Sequence, residues 1–160
     1  MAIITLNNNS ISNITSLPTG VGGKVLQVQH MSYNTNLSVS NDSGNGTASG
    51  LTLNITPSST SNKILILPNI NSKAPATGGG YGIKILRDST VIYTTGYPYL
   101  DLGGISGDRD RSNWQYLDTP SSSSQITYSV NILTESGNEY LIHADGNDSF
   151  LTLMEIAGWL

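Results

Sequence analysis

Clusters of Gly, Pro, Ser, Asn and Thr interrupt this chain at such short intervals that no stretch is left for a long helix. Between the clusters lie short runs rich in Ile, Leu, Val, Thr and Tyr, side chains that fit a pleated surface. Strands are expected near Lys24 to Met31, Asn36 to Ser40, Gly50 to Thr56, Lys63 to Asn69, Tyr81 to Arg87, Thr90 to Thr95, Asn113 to Leu117, Gln125 to Leu133, Glu139 to Ala144 and Phe150 to Ile156. Many short strands at this spacing predict an all-β, antiparallel sandwich of jelly-roll type.

Which faces are wet follows from the period. Leu51, Leu53 and Ile55 alternate with Thr52, Asn54 and Thr56, and Ile126, Tyr128, Val130 and Ile132 alternate with polar residues, so each of these strands has one buried face. Ile64 to Leu67 and Phe150 to Ile156 are apolar on both faces. In a two-layer sandwich the second apolar face needs a cover beyond the protomer's own core, and the economical cover is a sister subunit. Subunit contacts are therefore expected from Leu151, Leu153, Met154 and Ile156 of the last strand and from Leu26 and Val28 of its expected neighbour. Leu151 and Leu153 oppose Met154 and Ile156 across that strand, and the sequence leaves open which pair faces the partner.

Residues 1–23 stand apart because they contain no charged residue. Ile3, Ile4, Leu6, Ile11, Ile14 and Leu17 are set among Asn, Ser and Thr, and Pro18 to Gly23 ends the stretch as a flexible turn. The expected organisation is an uncharged docking arm over 1–23 and a sandwich domain over 24–160, with an additional strand of the sandwich as the other reading of the arm.

Only 7 Lys plus Arg and 11 Asp plus Glu occur in 160 residues, 11% of the chain, whereas 22 Ser, 16 Thr and 16 Asn supply a neutral polar surface. Forty Ile, Leu, Val and Phe residues are enough for a core, so disorder is not expected. Lys24 is the sole charge in the first 41 residues. Strands this bare invite edge-to-edge association unless assembly covers them. A net charge of -4 without a basic stripe argues against nucleic acid as a partner. No segment approaches the roughly 18 apolar residues of a membrane span, and no basic stretch leads an apolar run, so neither membrane insertion nor a secretion signal is expected.

Catalytic chemistry finds little support. There is no cysteine, and the two histidines, His30 and His143, fall in expected strands without the nucleophile-elbow spacing of a hydrolase. Asp108, Asp110 and Ser112 imitate the start of a calcium loop, but Asn113 stands where the sharp-turn Gly belongs and Thr119 where the bidentate Glu belongs. No cofactor and no metal is expected. Asp108-Arg109-Asp110-Arg111 reads instead as an alternating charged strip in a long loop, Gly96 to Ser112, where Tyr97 and Tyr99 flank Pro98. Flat rings in such a loop suit a sugar face, which nominates Tyr97, Tyr99, Asp108, Arg109, Asp110 and Arg111 as a ligand loop. Asp145-Gly146-Asn147-Asp148 is expected to turn a hairpin.

Several strings carry a resemblance. Gly22-Gly23-Lys24-Val25-Leu26-Gln27-Val28, Leu53 to Leu65, Gly82 to Thr90, Tyr116-Leu117-Asp118-Thr119-Pro120 and Leu151 to Gly158 resemble, in that order, a β-sandwich module of tailed-bacteriophage virion proteins, especially of marine and cyanobacterial phages. The resemblance covers roughly Gly22 to Gly158, with a shortened Met31 to Ser49 and an unmatched Gly96 to Ser112. Its architecture is similar to the trimeric heads of the C1q and tumour-necrosis-factor type. The resemblance implies a homotrimer in the virion, without catalysis, whose partners are itself and other virion proteins. With neither heptads nor a repeat for a fibre shaft, the expected role is a capsid decoration or cement protein docked on the major capsid protein. The alternative is a receptor-binding tail-fibre tip that recognises host surface glycans.

Overall fold

Alternation of side chains with a period of two sorts almost every strand into a core face and a solvent face. The computed structural model describes residues 24–40, 44–74, 80–95, 100–101, 107–134 and 139–158, and the arm and Tyr97 and Tyr99 lie outside them. The strands are β1 (Val25–Tyr33), β2 (Leu37–Val39), β3 (Thr47–Ile55), β4 (Lys63–Lys73), β5 (Gly80–Arg87), β6 (Thr90–Thr94), β7 (Leu100–Asp101), β8 (Arg109–Asn113), β9 (Tyr116–Asp118), β10 (Ile126–Thr134), β11 (Tyr140–Ile142) and β12 (Ser149–Ile156). All their pairings are antiparallel.

Two sheets face each other. In sheet A, the long β4 has β12 and β11 end to end along one side and β9 and β8 along the other; β1 adds outside β12 and β2 outside β11. Sheet B runs β3-β10-β5-β6, with β7 also on β5. The chain passes from sheet to sheet at its long connections, so the protein is an antiparallel jelly-roll β-sandwich, as its strand pattern predicts.

The core is built from both inner faces. Ile64, Ile66 and Ile70 of β4 and Leu151 and Leu153 of β12 meet Leu51, Ile83, Ile85, Tyr128, Val130 and Ile132 of sheet B, all at most 1% exposed. Each such aliphatic side chain contributes about 1.5–3 kcal/mol by leaving water. Leu151 and Leu153 are thus core residues, and the expectation that they contact a sister subunit is corrected. Their partners across the strand point outward, because a period of two allows only one of the two pairs inside.

Three local features depart from the sequence reading. The expected strand Asn113 to Leu117 is broken into β8 and β9. Pro68 of β4 lies opposite the break, where it accepts the Trp114 N–H at 3.0 Å but has no N–H to return, so the ladder lapses at Trp114 and Gln115. The loop expected over Gly96 to Ser112 instead contains β7 and most of β8, with Asp110 and Arg111 paired to Ser72 and Asn71. Finally, 145–148 does not turn a hairpin. β11 and β12 lie in line along β4, and a single 3-10 turn, Ala144–Gly146, joins them, entered through His143 in the left-handed region.

Candidate functional site

The two outer faces of the sandwich differ in kind. The outer side of sheet B carries Thr52, Asn54, Thr127, Ser129, Asn131 and the cation Lys84, with Leu86, Leu133 and Val91 among them. Sheet A shows solvent a row of apolar side chains. Val28, Met154, Leu65 and Leu117 stand in register across β1, β12, β4 and β9, and Val25 pairs with Ile156 one row away. The exposed large hydrophobic residues among those described are Val25 (50%), Leu26 (41%), Val28 (49%) and Leu117 (47%). All four come from β1 and β9, which flank the half-buried Met154, Ile156 and Leu65. A contiguous patch of this kind marks an interaction surface, where a scatter of single residues would not.

Of the expected subunit contacts, Leu26, Val28, Met154 and Ile156 therefore share this outer face, whereas Leu151 and Leu153 do not. Leu117 and Leu65 are contributors that the sequence reading missed. The apolar run Ile64 to Leu67 signalled Leu65, but nothing in the sequence shows that β9 pairs with β4 and sets Leu117 at the end of the row.

Beyond this row the same face changes character. A shallow groove of about 510 Å³ has Leu67 and Pro68 as its floor, Phe150, Thr152 and His30 on one side, and Trp114 and Gln115 on the other, with Asn69 and Asn113 at its end. The His30 ring stacks on Phe150 at a centroid distance of 5.6 Å, and its Nδ1 lies 2.9 Å from Thr152 Oγ1. Trp114 is half-buried and anchored edge-on to Tyr81. Arg111 sits over the Phe150 ring and donates to Asn69 Oδ1 at 2.8 Å, and Asn69 in turn donates to Asn113 Oδ1.

The nominated charged strip divides between the two faces of β8. Arg109 pairs with Asp145 at 2.5 Å, Lys73 lies 3.9 Å from the same carboxylate, and Asp108 accepts the Arg109 backbone N–H. Asp110 turns toward the sandwich interior, whereas Arg111 turns outward onto the groove. The four do not form a strip of mutual ion pairs. Among the described residues no group of three or more His, Asp or Glu is placed to hold a metal, and no helix is long and apolar enough to cross a membrane.

Two buried polar sites explain side chains that otherwise suggest chemistry. The ring of His143 sends Nε2–H to the Ser49 carbonyl at 2.7 Å, which leaves Nδ1 to accept from Ser149 Oγ at 2.7 Å, while that hydroxyl accepts the Asn71 N–H. The Ser–His pair is in hydrogen-bonding contact, but both residues are fully buried, so no substrate reaches the hydroxyl. Burial lowers the His143 pKa, and the bond to Ser49 offsets part of that effect. Glu155 is likewise fully buried, and its carboxylate accepts from Gln27 Nε2 at 2.6 Å, Asn62 Nδ2 at 2.5 Å, and the N–H and Oγ of Ser58. Burial alone pushes its pKa up, but the donated bonds outweigh burial and hold the carboxyl below the usual carboxylate range.

The fold defines a jelly-roll sandwich with an apolar row on the outer face of sheet A. No family model and no curated protein matches the sequence. Among solved structures, the chain is similar to the infectious bursal disease virus VP2 subviral particle, at 14% identity and TM-score 0.47 over 84% of this chain and 39% of that one. It is also similar to the T13 particle of that virus (12%, TM-score 0.49, 99% and 40% covered) and to the EclA C-terminal domain, a sugar-binding protein (12%, TM-score 0.35, 96% and 99% covered). The chain thus spans about two-fifths of the viral capsid proteins it matches. Likeness at this level carries no argument about what this chain binds.

Proposed function

We propose that this protein is a non-catalytic structural component of a virus particle, a homotrimeric decoration protein whose copies meet through the apolar part of the outer face of sheet A. The observation that carries the proposal is the registered row Val28, Met154, Leu65 and Leu117, four apolar side chains across four strands on one face, with Val28 and Leu117 exposed. The resemblance of the chain to phage virion modules supplies the setting, and its arm, 1–23, supplies an uncharged segment suited to lie on the major capsid protein. Apolar burial and backbone pairing provide the free energy of assembly, and no reacting group is required.

Sedimentation equilibrium is the test. The wild type is expected to be trimeric, and Met154→Asp with Leu65→Asp to give a folded monomer. A wild-type monomer, or a double variant that stays trimeric, overturns the assembly. Deleting residues 1–18 is expected to leave the trimer intact and to abolish its binding to particles. A second reading, a receptor-binding module of a tail tip, is favoured by a different observation: the aromatic groove next to the apolar row.

A further inference from the structure

We propose that the corner of sheet A where residues 1–23 join the sandwich, marked by Lys24 and Lys63, docks an acidic polypeptide segment of the particle lattice. The assignment rests on the decoration reading and names the chemistry of the surface that such a protein grips.

All seven Lys and Arg residues are among those described, and five of them are engaged. Lys73 and Arg109 share Asp145, Arg87 pairs with Asp118, Arg111 donates to Asn69, and Lys84 donates to the Gly44 carbonyl. Lys24 and Lys63 have no carboxylate partner among the described residues. Both stand at one corner. The Lys24 carbonyl accepts the Ala157 N–H at 2.9 Å, and Lys63 lies opposite Ile156 in register, so the two residues bracket the end of β12 from the β1 and β4 sides. Beside them are Val25 and Leu26, 50% and 41% exposed, and Ile156.

Alternation explains why this corner is basic and has no neighbour of opposite sign. On the strands of this face Asp110, Asp118 and Glu155 occupy positions directed to the sandwich interior, whereas the outward charged positions of β4 and β8 are Lys63, Lys73, Arg109 and Arg111. Glu155, next to Ile156, is fully buried, and its carboxylate is closed in by Gln27, Asn62 and Ser58. A chain of net charge -4 thus keeps an uncompensated positive corner on an apolar background. Its complement is a segment with carboxylates set among apolar side chains.

Three other occupants fit less well. A sister subunit covering the corner would bury both lysines without a counter-ion, because the sheet A face it brings has no outward carboxylate on these strands. Two cations release too few counterions to hold a nucleic-acid backbone. Attachment to an anionic membrane takes clusters of about four to eight basic residues. A polypeptide needs only two carboxylates spaced to reach Lys24 and Lys63. Residues 1–23 join the sandwich at Lys24, so arm and corner address one partner.

Biolayer interferometry of the full-length protein on an immobilised copolymer of Glu and Tyr tests this, with poly-Lys, double-stranded DNA and phosphatidylserine vesicles as comparisons. Binding is expected to the acidic copolymer alone and to weaken as salt is added. Lys24→Glu with Lys63→Glu is expected to weaken it about ten-fold or more, and Lys24→Ala or Lys63→Ala alone to give a smaller loss. Lys84→Glu on sheet B is expected to leave it unchanged, with circular dichroism checking that every variant stays folded. Absence of binding to the copolymer, equal or tighter binding to poly-Lys, DNA or vesicles, or undiminished binding of the double variant overturns the site. Deleting residues 1–18 retains Lys24 and is expected to leave copolymer binding intact; its loss would move the site to the arm and overturn the proposal. Sedimentation of the same samples separates docking from assembly. If the double variant dissociates the trimer, the corner is a subunit contact and the proposal fails, whereas a monomeric wild type that still binds the copolymer overturns only the trimer.

Discussion

The carboxylate of Glu155 accepts a 2.5 Å hydrogen bond from Asn62 in a fully buried setting, with Gln27 and Ser58 completing its shell and, among the described residues, no cation paired with it. Asn62 also accepts the Gly158 N–H at 3.0 Å, so one buried charge ties β1, the end of β12 and the turn before β4 together. Glu155→Gln puts an amide donor among groups that are themselves donors. A loss of about 2–3 kcal/mol is expected, measured by urea denaturation.

That carboxylate also sets an acid limit. Its pKa is depressed in the folded state, so its contribution is present above the ordinary value of about 4.5 and is lost as pH falls through the lower, folded value. Stability measured by calorimetry is expected to drop below about pH 4.5 in the wild type. In Glu155→Gln the part of that drop due to this residue should be absent.

His143 acts in a higher window. Its folded pKa lies below the usual 6.5, so the unfolded chain takes up the proton first and stability falls as pH drops below about 6.5. Protonation would also set a Nδ1–H against the Ser149 hydroxyl that Nδ1 accepts from. The NMR titration midpoint of the His143 ring carbons is expected below 6.5. A midpoint above 6.5 would contradict the destabilisation of the charged ring by burial.

The bulge in β3 predicts a steric effect. Gly50 has φ +88 and lies against Tyr33, and a Cβ there would approach the ring to 2.7 Å. Ser49 fills the bulge by donating to the Val130 carbonyl and accepting the Leu51 N–H. Gly50→Ala therefore combines backbone strain with a clash, and a loss of about 2 kcal/mol is expected from thermal melts. Tyr33→Ala in the same chain should recover only the clash component.

The two sides of β12 should respond oppositely. Leu153→Asp buries a charge between the sheets, where Leu153 is 0% exposed, and is expected to leave no folded protein by circular dichroism. Ile156→Asp on the outer side is expected to keep the wild-type spectrum and to weaken only the association seen in sedimentation.

Alternation alone made much of this protein legible. The strands from β1 to β6, and β10 and β12, stand where hydrophobic runs and turn residues place them, because side-chain period and turn chemistry act over a few residues. The inward faces of β3 and β10 were equally readable. Long-range pairing was not. Pro68 splits one expected strand into two only because β4 lies beside it, and Arg109 to Asn113 joins a sheet although its composition reads as a loop, since ladder bonds to β4 outweigh local preference. The groove was hidden for the same reason. Its rings and amides come from β1, β4, β8, β12 and the β8–β9 break, positions brought together by register and not by spacing along the chain.

The sequence by itself determined the class of fold, the absence of cysteine chemistry and the shortage of charge, all properties of residue types counted or taken in local order. Only the tertiary structure decided which apolar face of β12 is core and which meets solvent. The physical reason is that a strand apolar on both sides satisfies either assignment locally. The partner sheet, with Tyr128, Val130 and Ile132 directed inward, buries Leu151 and Leu153 and leaves Met154 and Ile156 to the outside.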